Sequence, residues 1–263
     1  MNAPDYKVVL ANGAFKSGST WLRDIVKCFR AFDPIPPAYQ DRRFEHWISE
    51  VKIEALLRDE RHLGVYLSKS HLYLPEVVRG LLAYENLRVL NIKRDYRDVV
   101  VSAYYHYCRT RKVKMTFDRY YWRIGRYRIV EIMDYHRAWD LGDPTRVLLT
   151  SYERLQGDFG AEVRRLAGFL EVDLDGRAIE DIRERTSLEN LRRLRGEDGK
   201  PEEERFFRKG IVGDWENHFT DDQMRDFERI TREGLQGGGR LLYWLVFPCR
   251  RRLQRLGMRM RLA

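Results

Sequence analysis

The stretch that most constrains this chain is residues 6–20, YKVVLA followed by NGAFKSGST: a short apolar, β-branched run, then a Gly- and Ser-rich loop, then helical spacing from Ser19 through Phe29. A strand that ends in such a loop and opens a helix gathers free backbone N–H groups at a helix N-terminus, where an anion binds. Read alone, the loop fits either a phosphate-binding loop or a plain tight βα turn. The pattern of nucleotide kinases and NTPases, G-x-x-x-x-G-K-[ST], needs lysine directly after the second glycine. Here Ser19 follows Gly18, and the lysine, Lys16, comes earlier.

Residues 63–67, 87–92 and 147–149 read as further buried strands, and apolar residues recur at helical spacing over 97–107, 117–139, 160–170 and 221–233. Strands alternating with helices predict an α/β single domain with a central parallel β-sheet flanked by helices, binding its ligand at the carboxyl ends of the strands. The length, 263 residues, suits one such domain with an appendage. Gly237-Gly238-Gly239 breaks the last helical pattern and predicts a hinge between a body, 1–236, and a tail, 237–263.

Charge is uneven along the chain. From Arg240 to Ala263 there are seven Arg and no acid, so of the net charge of +9 only +2 belongs to residues 1–239. The near-neutral body argues against a nucleic-acid-binding module, the reading the basic tail would otherwise favour. Apolar and Arg positions interleave in the tail, which fits either peripheral contact with an anionic membrane or packing on the body. The longest apolar run, 241–248, is far short of the roughly 20 residues that cross a bilayer. The three Cys are scattered and the start of the chain lacks a signal-like pattern, so a reduced, cytoplasmic setting without structural metal is expected.

Two more segments carry chemistry. Residues 91–102, NIKRDYRDVVVS, leave a predicted strand with Arg94 at its end and Ser102 eight residues on; the Arg fork suits a phosphate, although ordinary Arg–Asp pairing at a helix start fits as well. Residues 207–220, FRKGIVGDWENHFT, set two cations before a glycine, with Trp215 as an anchor.

Together these motifs resemble the cytosolic-type PAPS-dependent sulfotransferases. Lys16-Ser-Gly-Ser-Thr-Trp21 is similar to that family's P-K-S-G-T-T-W loop, with Phe15 in place of Pro and Ser19 in place of Thr. Arg94 followed by Asp98-Val-Val-Val-Ser102 resembles its Arg and D-V-x-V-S helix, and residues 208–220 match R-K-G-x-x-G-D-W-x-N-x-F-T at every named position. Ser68-Lys-Ser-His-Leu72 resembles K-T-H-L, Tyr152 falls in Y-E-x-L, and Thr186 falls in T-S-F with Leu188 for the aromatic.

The resemblance implies a P-loop-NTPase-like sulfotransferase fold, with 3′-phosphoadenosine 5′-phosphosulfate (PAPS) as donor, PAP as product and no metal. It implies that Lys16, Ser17, Gly18, Ser19 and Thr20 hold the phosphosulfate and that Trp21, Tyr152 and Thr186 meet adenine. Arg94, Ser102, Arg208, Lys209 and Gly210 are then the ligands of the 3′-phosphate. His71 would be the general base, Lys16 the stabiliser of the leaving group and Lys69 a second cation for the sulfuryl oxygens. The acceptor, a hydroxyl or amine on a small molecule, lipid or glycan, is expected against the aromatic, basic stretch 104–128. The rival readings are a P-loop nucleotide kinase or NTPase, disfavoured by the displaced lysine, and the nucleic-acid module. Oligomeric state stays open.

Overall fold

Four parallel strands, β1 (Val8–Gly13), β4 (Tyr66–Ser70), β5 (Leu87–Lys93) and β6 (Val147–Ser151), form a sheet in the order β4-β1-β5-β6. The computed structural model describes residues 5–41, 44–48, 50–140 and 143–245. Between β1 and β4 lie α1 (Ser19–Val26), a small antiparallel pair β2 (Gln40–Asp41) and β3 (Phe44–Ile48), and α2 (Glu50–Arg58). Helix α3 (Pro75–Leu82) leads to β5, and α4 (Tyr96–Arg111), α5 (Phe117–Tyr120) and α6 (Arg126–Trp139) lead to β6. After β6 the chain is helical: α7 (Tyr152–Gly157), α8 (Phe159–Phe169), α9 (Gly176–Arg185), α10 (Leu188–Leu194), α11 (Asp221–Glu233) and α12 (Gly237–Trp244), with single 3-10 turns at Glu202–Glu204 and Asp214–Asn217.

Alternation along the strands explains the layers. In β1, Val8 and Leu10 face a core built with α2, α3 and α6, while Val9 and Ala11 face a second core built with α1, α8 and α9. In β5, Leu87 and Val89 go one way, Leu90 and Ile92 the other. A third cluster, on the outer side of α4, joins α5, α6 and α11. Strand β1 is central, and the chain passes from it first to β4 on one side and then to β5 on the other. All four strands run the same way, so their carboxyl ends share one edge, with Asn12 level with both Ser70 and Asn91.

Some expected boundaries moved. Strand β4 begins at Tyr66 rather than 63, because Leu63 is exposed and the pairing with β1 sets Val8 opposite Tyr66. The helical stretch 117–139 is broken by a π-helical turn, Tyr121–Gly125, where the Tyr121 hydroxyl donates to the Gln223 carbonyl at 3.0 Å and sits 3.1 Å from the Asp226 carboxylate. The glycines expected to form a hinge instead make the first turn of α12, which is pinned by Tyr243 donating to Asp134 on α6 at 2.6 Å. Residues 246–263, most of the basic tail, lie outside the described residues. No described helix is long and apolar enough to cross a membrane.

Gly13 ends β1 where the backbone passes closest to its neighbours. A Cβ there would lie 2.6 Å from Ser17 Oγ and 2.7 Å from Ile92 Cγ2, neither of which has room to retreat in a buried strand end. Gly13→Ala is expected to cost about 1–3 kcal/mol through overpacking, read as a lower urea midpoint at unchanged slope.

Candidate active site

The loop after β1 is shaped by conformations that ordinary residues avoid. Gly18 has φ 103, and a Cβ on it would lie 2.8 Å from the Tyr152 ring, so only glycine lets the loop press against that tyrosine. Lys16 also takes a positive φ, 72, a strained choice for a residue with a side chain. The result aims its ammonium into a cleft of about 380 Å3, 4.5 Å from the Phe206 ring. Ser17 turns the other way. It is buried, its hydroxyl and N–H both donate to the Ala14 carbonyl, at 2.7 and 3.0 Å, and it braces the loop rather than lining the cleft.

Burial and then the neighbouring charges of Arg109, Lys69, Arg94 and Arg195 push the Lys16 ammonium down to about 7. Lys69, on β4, is pushed down to about 8, chiefly by burial and then by Arg23 and Arg195 against the opposing pull of Asp24. Its ammonium donates to Thr20 Oγ1 at 2.8 Å and rests 4.9 Å from the Trp47 ring. Like charges crowd here because strands β1 and β4 are adjacent and end level with each other, Ala11 opposite Lys69.

Two residues beyond Lys69, His71 leaves the strand with its Nδ1 2.6 Å from the Gly13 carbonyl. A carbonyl only accepts, so Nδ1 carries the hydrogen and Nε2 is the basic nitrogen of the neutral ring. The segment is held from behind: Asn12 Oδ1 accepts from Ser70 Oγ and the Leu72 N–H, and the Trp139 indole donates to the Leu72 carbonyl at 2.5 Å. The His71 ring stands edge-on to Phe15 at 5.8 Å and Trp47 at 5.7 Å.

At the end of β5, Arg94 lies 4.1 Å over the Tyr152 ring and donates through Nη2 to the Ile211 carbonyl, while its Nε is buried without a partner among the described residues. Asp98, one turn into α4, accepts the N–H groups of Gly213 and Trp215 at 2.8 and 3.1 Å and lies 3.8 Å from the Arg94 guanidinium. That carboxylate joins the β5–α4 junction to the loop 208–215. On the loop, Arg208 and Lys209 pair with the buried Asp214 and with Glu202, the Arg208–Glu202 contact being 2.8 Å and the Lys209–Asp214 contact 2.8 Å.

The cleft thus brings together residues predicted from six separate stretches of the chain. Lys16, Gly18, Ser19, Thr20 and Trp21 line it from the first loop, Lys69 and His71 from β4, and Arg94 and Ser102 from β5 and α4. Tyr152 and Thr186 line it from the far side, and Arg208, Lys209 and Gly210 close it. The Trp21 ring is fixed by its N–H donating to the Thr186 carbonyl at 3.0 Å and by Tyr152 at 5.2 Å. The Thr186 hydroxyl itself donates back to Ile182, so this residue serves the cleft mainly through its backbone.

Most aromatic residues of the stretch 104–128, expected to contribute to an acceptor pocket, pack in the third core. Tyr104, Phe117, Tyr120 and Tyr121 pack against one another in the third core, with ring centroids 5.4–5.5 Å apart for Tyr104 with Phe117 and Tyr120. Of that stretch only His106 is among the residues lining the cleft. Burial, and then Lys16 and Arg109, push its imidazole down to about 4. Sequence reasoning also missed Phe206, Arg183 and Phe159, which line the same cleft. Phe206 had a visible signal, standing two residues before the Arg208-Lys209 pair; Arg183 and Phe159 lie in plain amphipathic helices and had none.

Residues 7–239 match the family model described as the sulfotransferase domain. Among curated proteins, the chain is 27% identical over 252 residues to a flavonol sulfotransferase-like protein of Flaveria bidentis, covering 86% of this chain and 81% of that one. It is 26% identical over 233 residues to human sulfotransferase 2A1, covering 83% and 80%. Among solved structures, mouse sulfotransferase SULT7A1 complexed with PAP aligns at TM-score 0.62 and 21% identity over 90% of this chain and 86% of that one. Retinol dehydratase in complex with androsterone and inactive cofactor PAP aligns at TM-score 0.63 and 18% identity, over 90% and 82%. The family match selects against the kinase and nucleic-acid-module readings. The chain belongs to the sulfotransferase-domain family and is an enzyme of sulfuryl transfer.

Proposed function

We propose that the cleft binds PAPS across the carboxyl edge of the sheet and transfers its sulfuryl group to a hydroxyl or amine of a small apolar acceptor, with His71 as general base. The observation that carries this reading is that cations from three distant loops, Lys16, Arg94 and Arg208, line one cleft. A nucleotide with an anion at each end suits that spacing of charge. The partnerless Arg94 Nε supports it further, since a buried unsatisfied donor costs about 1–3 kcal/mol and a phosphate oxygen would relieve it. So do the depressed lysines, because an incoming anion stabilises their charged forms.

The donor supplies an electrophilic sulfur and a good leaving group; the residues of the chain do the rest. Trp21, Tyr152 and Phe159 offer aromatic faces for the base at one end of the cleft. Lys16, Lys69 and the hydroxyls of Ser19 and Thr20 hold the phosphosulfate at the other. His71 Nε2 takes the acceptor proton as the acceptor atom attacks sulfur in line, and Lys16 neutralises charge on the oxygen that departs. Phe15 and Trp47 stand against the His71 ring, His106 meets Phe15, and Phe206 lines the same cleft, an aromatic setting that suits a flat phenol or alcohol. Relatives named for flavonol and 3-beta-hydroxysteroid sulfation point to the same class.

PAP is expected to raise the melting temperature of the protein, whereas ATP and a single-stranded oligonucleotide leave it nearly unchanged; stabilisation by ATP alone would overturn the donor assignment. His71→Ala is expected to lower turnover about 10²–10⁴-fold while the PAP-induced shift persists. Affinity for PAP should also depend on pH. Below about pH 7 Lys16 is already protonated and affinity is flat; above it, binding must take up a proton, and affinity falls by up to about tenfold per pH unit. Calorimetry in buffers of different ionisation enthalpy measures that uptake, and Lys16→Met should flatten the slope.

A further inference from the structure

Helix α12 is attached to the body by one side and bare on the other. Tyr243 is buried against α6, and Leu235 is buried just ahead of the helix. Around them Leu241, Leu242, Trp244 and Leu245 are 61, 48, 50 and 49% exposed. Eleven large apolar side chains are exposed among the described residues, and four of them fall within these five positions, so the face is a patch and not scattered surface. Trp244 also forms one wall of a groove of about 620 Å3 against α3, lined by Leu74, Val78 and Leu82 with Arg79 and Arg137. Leu74 is three residues past His71, which sets this surface beside the edge of the sheet that carries the cleft.

Charge accompanies the patch. Arg240 opens it, and the sequence that continues from Leu245, Val-Phe-Pro-Cys and then Arg250-Arg251-Arg252, Arg255, Arg259 and Arg261, contains no acid. We propose that the exposed face of α12 and the basic chain that follows dock on the surface of an anionic phospholipid bilayer. Apolar side chains with a tryptophan and interleaved arginines match the boundary between acyl chains and headgroups on both counts, apolar below and cationic at phosphate level. A nucleic acid would match the arginines and leave the leucines in water. A second copy of this chain would cover the leucines but face seven arginines with seven more.

The test is co-sedimentation of the full chain with vesicles of phosphatidylcholine alone and of 3:1 phosphatidylcholine to phosphatidylglycerol, at about 0.1 M salt. Binding at least about tenfold tighter to the anionic vesicles is expected. Leu241→Glu with Trp244→Glu should weaken that binding about tenfold or more, and Arg250→Ser with Arg251→Ser and Arg252→Ser about a hundredfold. Unchanged melting temperature and transfer activity show that the variants remain folded. Absence of binding to anionic vesicles overturns the proposal. So does binding that is indifferent to Leu241→Glu/Trp244→Glu, which would mean tail electrostatics alone; so does a dimer in sedimentation velocity that the same substitutions dissociate, or displacement from vesicles by an equal charge of oligonucleotide.

Discussion

Asp98 sits on the first turn of α4 with almost no solvent contact, and its two oxygens are shared among the N–H groups of Gly213 and Trp215 and the guanidinium of Arg94. Those groups come from parts of the chain more than 110 residues apart in sequence, and the closing of the cleft by residues 208–210 depends on their meeting. A buried carboxylate must be hydrogen-bonded or it neutralises. Here the bonds that satisfy it also fix where the loop 208–215 crosses the sheet edge. The position of that loop in turn decides which side chains close the cleft. Arg97 reinforces the junction, stacking 3.6 Å over the Trp215 ring while bonding back to Asp95.

The two ends of the cleft handle positive charge differently. On the loop side, Arg208 and Lys209 are matched by Asp214 and Glu202, and the Lys209 ammonium is held above its ordinary range by the Asp214 carboxylate. On the side of β1 and β4, Lys16 and Lys69 have burial and other cations for company and lose their charge readily. Under the proposed reading this asymmetry is functional. The matched pair can exchange Glu202, which is exposed enough to move, for a phosphate with little net change in field. The unmatched lysines hold their charge more firmly when an anion arrives, so the strongest electrostatic stabilisation coincides with a bound donor.

What could be read from the sequence follows from what kind of information each feature needs. Strands β1 and β5 declared themselves because they are buried on both faces and bounded by loop residues; α11 did so through apolar spacing, while its Thr220 capping box emerged only in the structure. The anion-facing residues were legible because the motifs carry charge and glycine at fixed spacing. Where the Ser17 hydroxyl points was not legible, since a hydroxyl in a phosphate loop looks the same in sequence whether it faces the cleft or donates back to Ala14, as it does here. The tyrosines of 104–121 look like pocket aromatics in one dimension. Only the third dimension shows them filling the gap between α4, α5 and α11. The glycine triplet at 237–239 suggested a break because glycine is a poor helix former, whereas the contacts that hold α12 to α6, Asp134 for Tyr243 and the buried Leu235, are tertiary and leave no mark in the sequence.

Phe15 shows how one departure from a family motif propagates. Where the related loops carry a proline that stiffens the backbone, this chain has a ring, and the ring does its bracing through contacts. It meets His71 and His106 edge-on, at 5.8 and 5.0 Å, and the Arg128 guanidinium lies 5.1 Å over its face. Arg128 is itself tied to Glu131 on α6. The loop is therefore anchored to α6 by side-chain packing where a proline would have held it by restricting φ. Because Lys16 is the next residue and carries the strained φ, the anchoring of Phe15 also fixes the lysine. The imidazole that would accept the acceptor proton and the ammonium that would meet the leaving oxygen are positioned through the same ring.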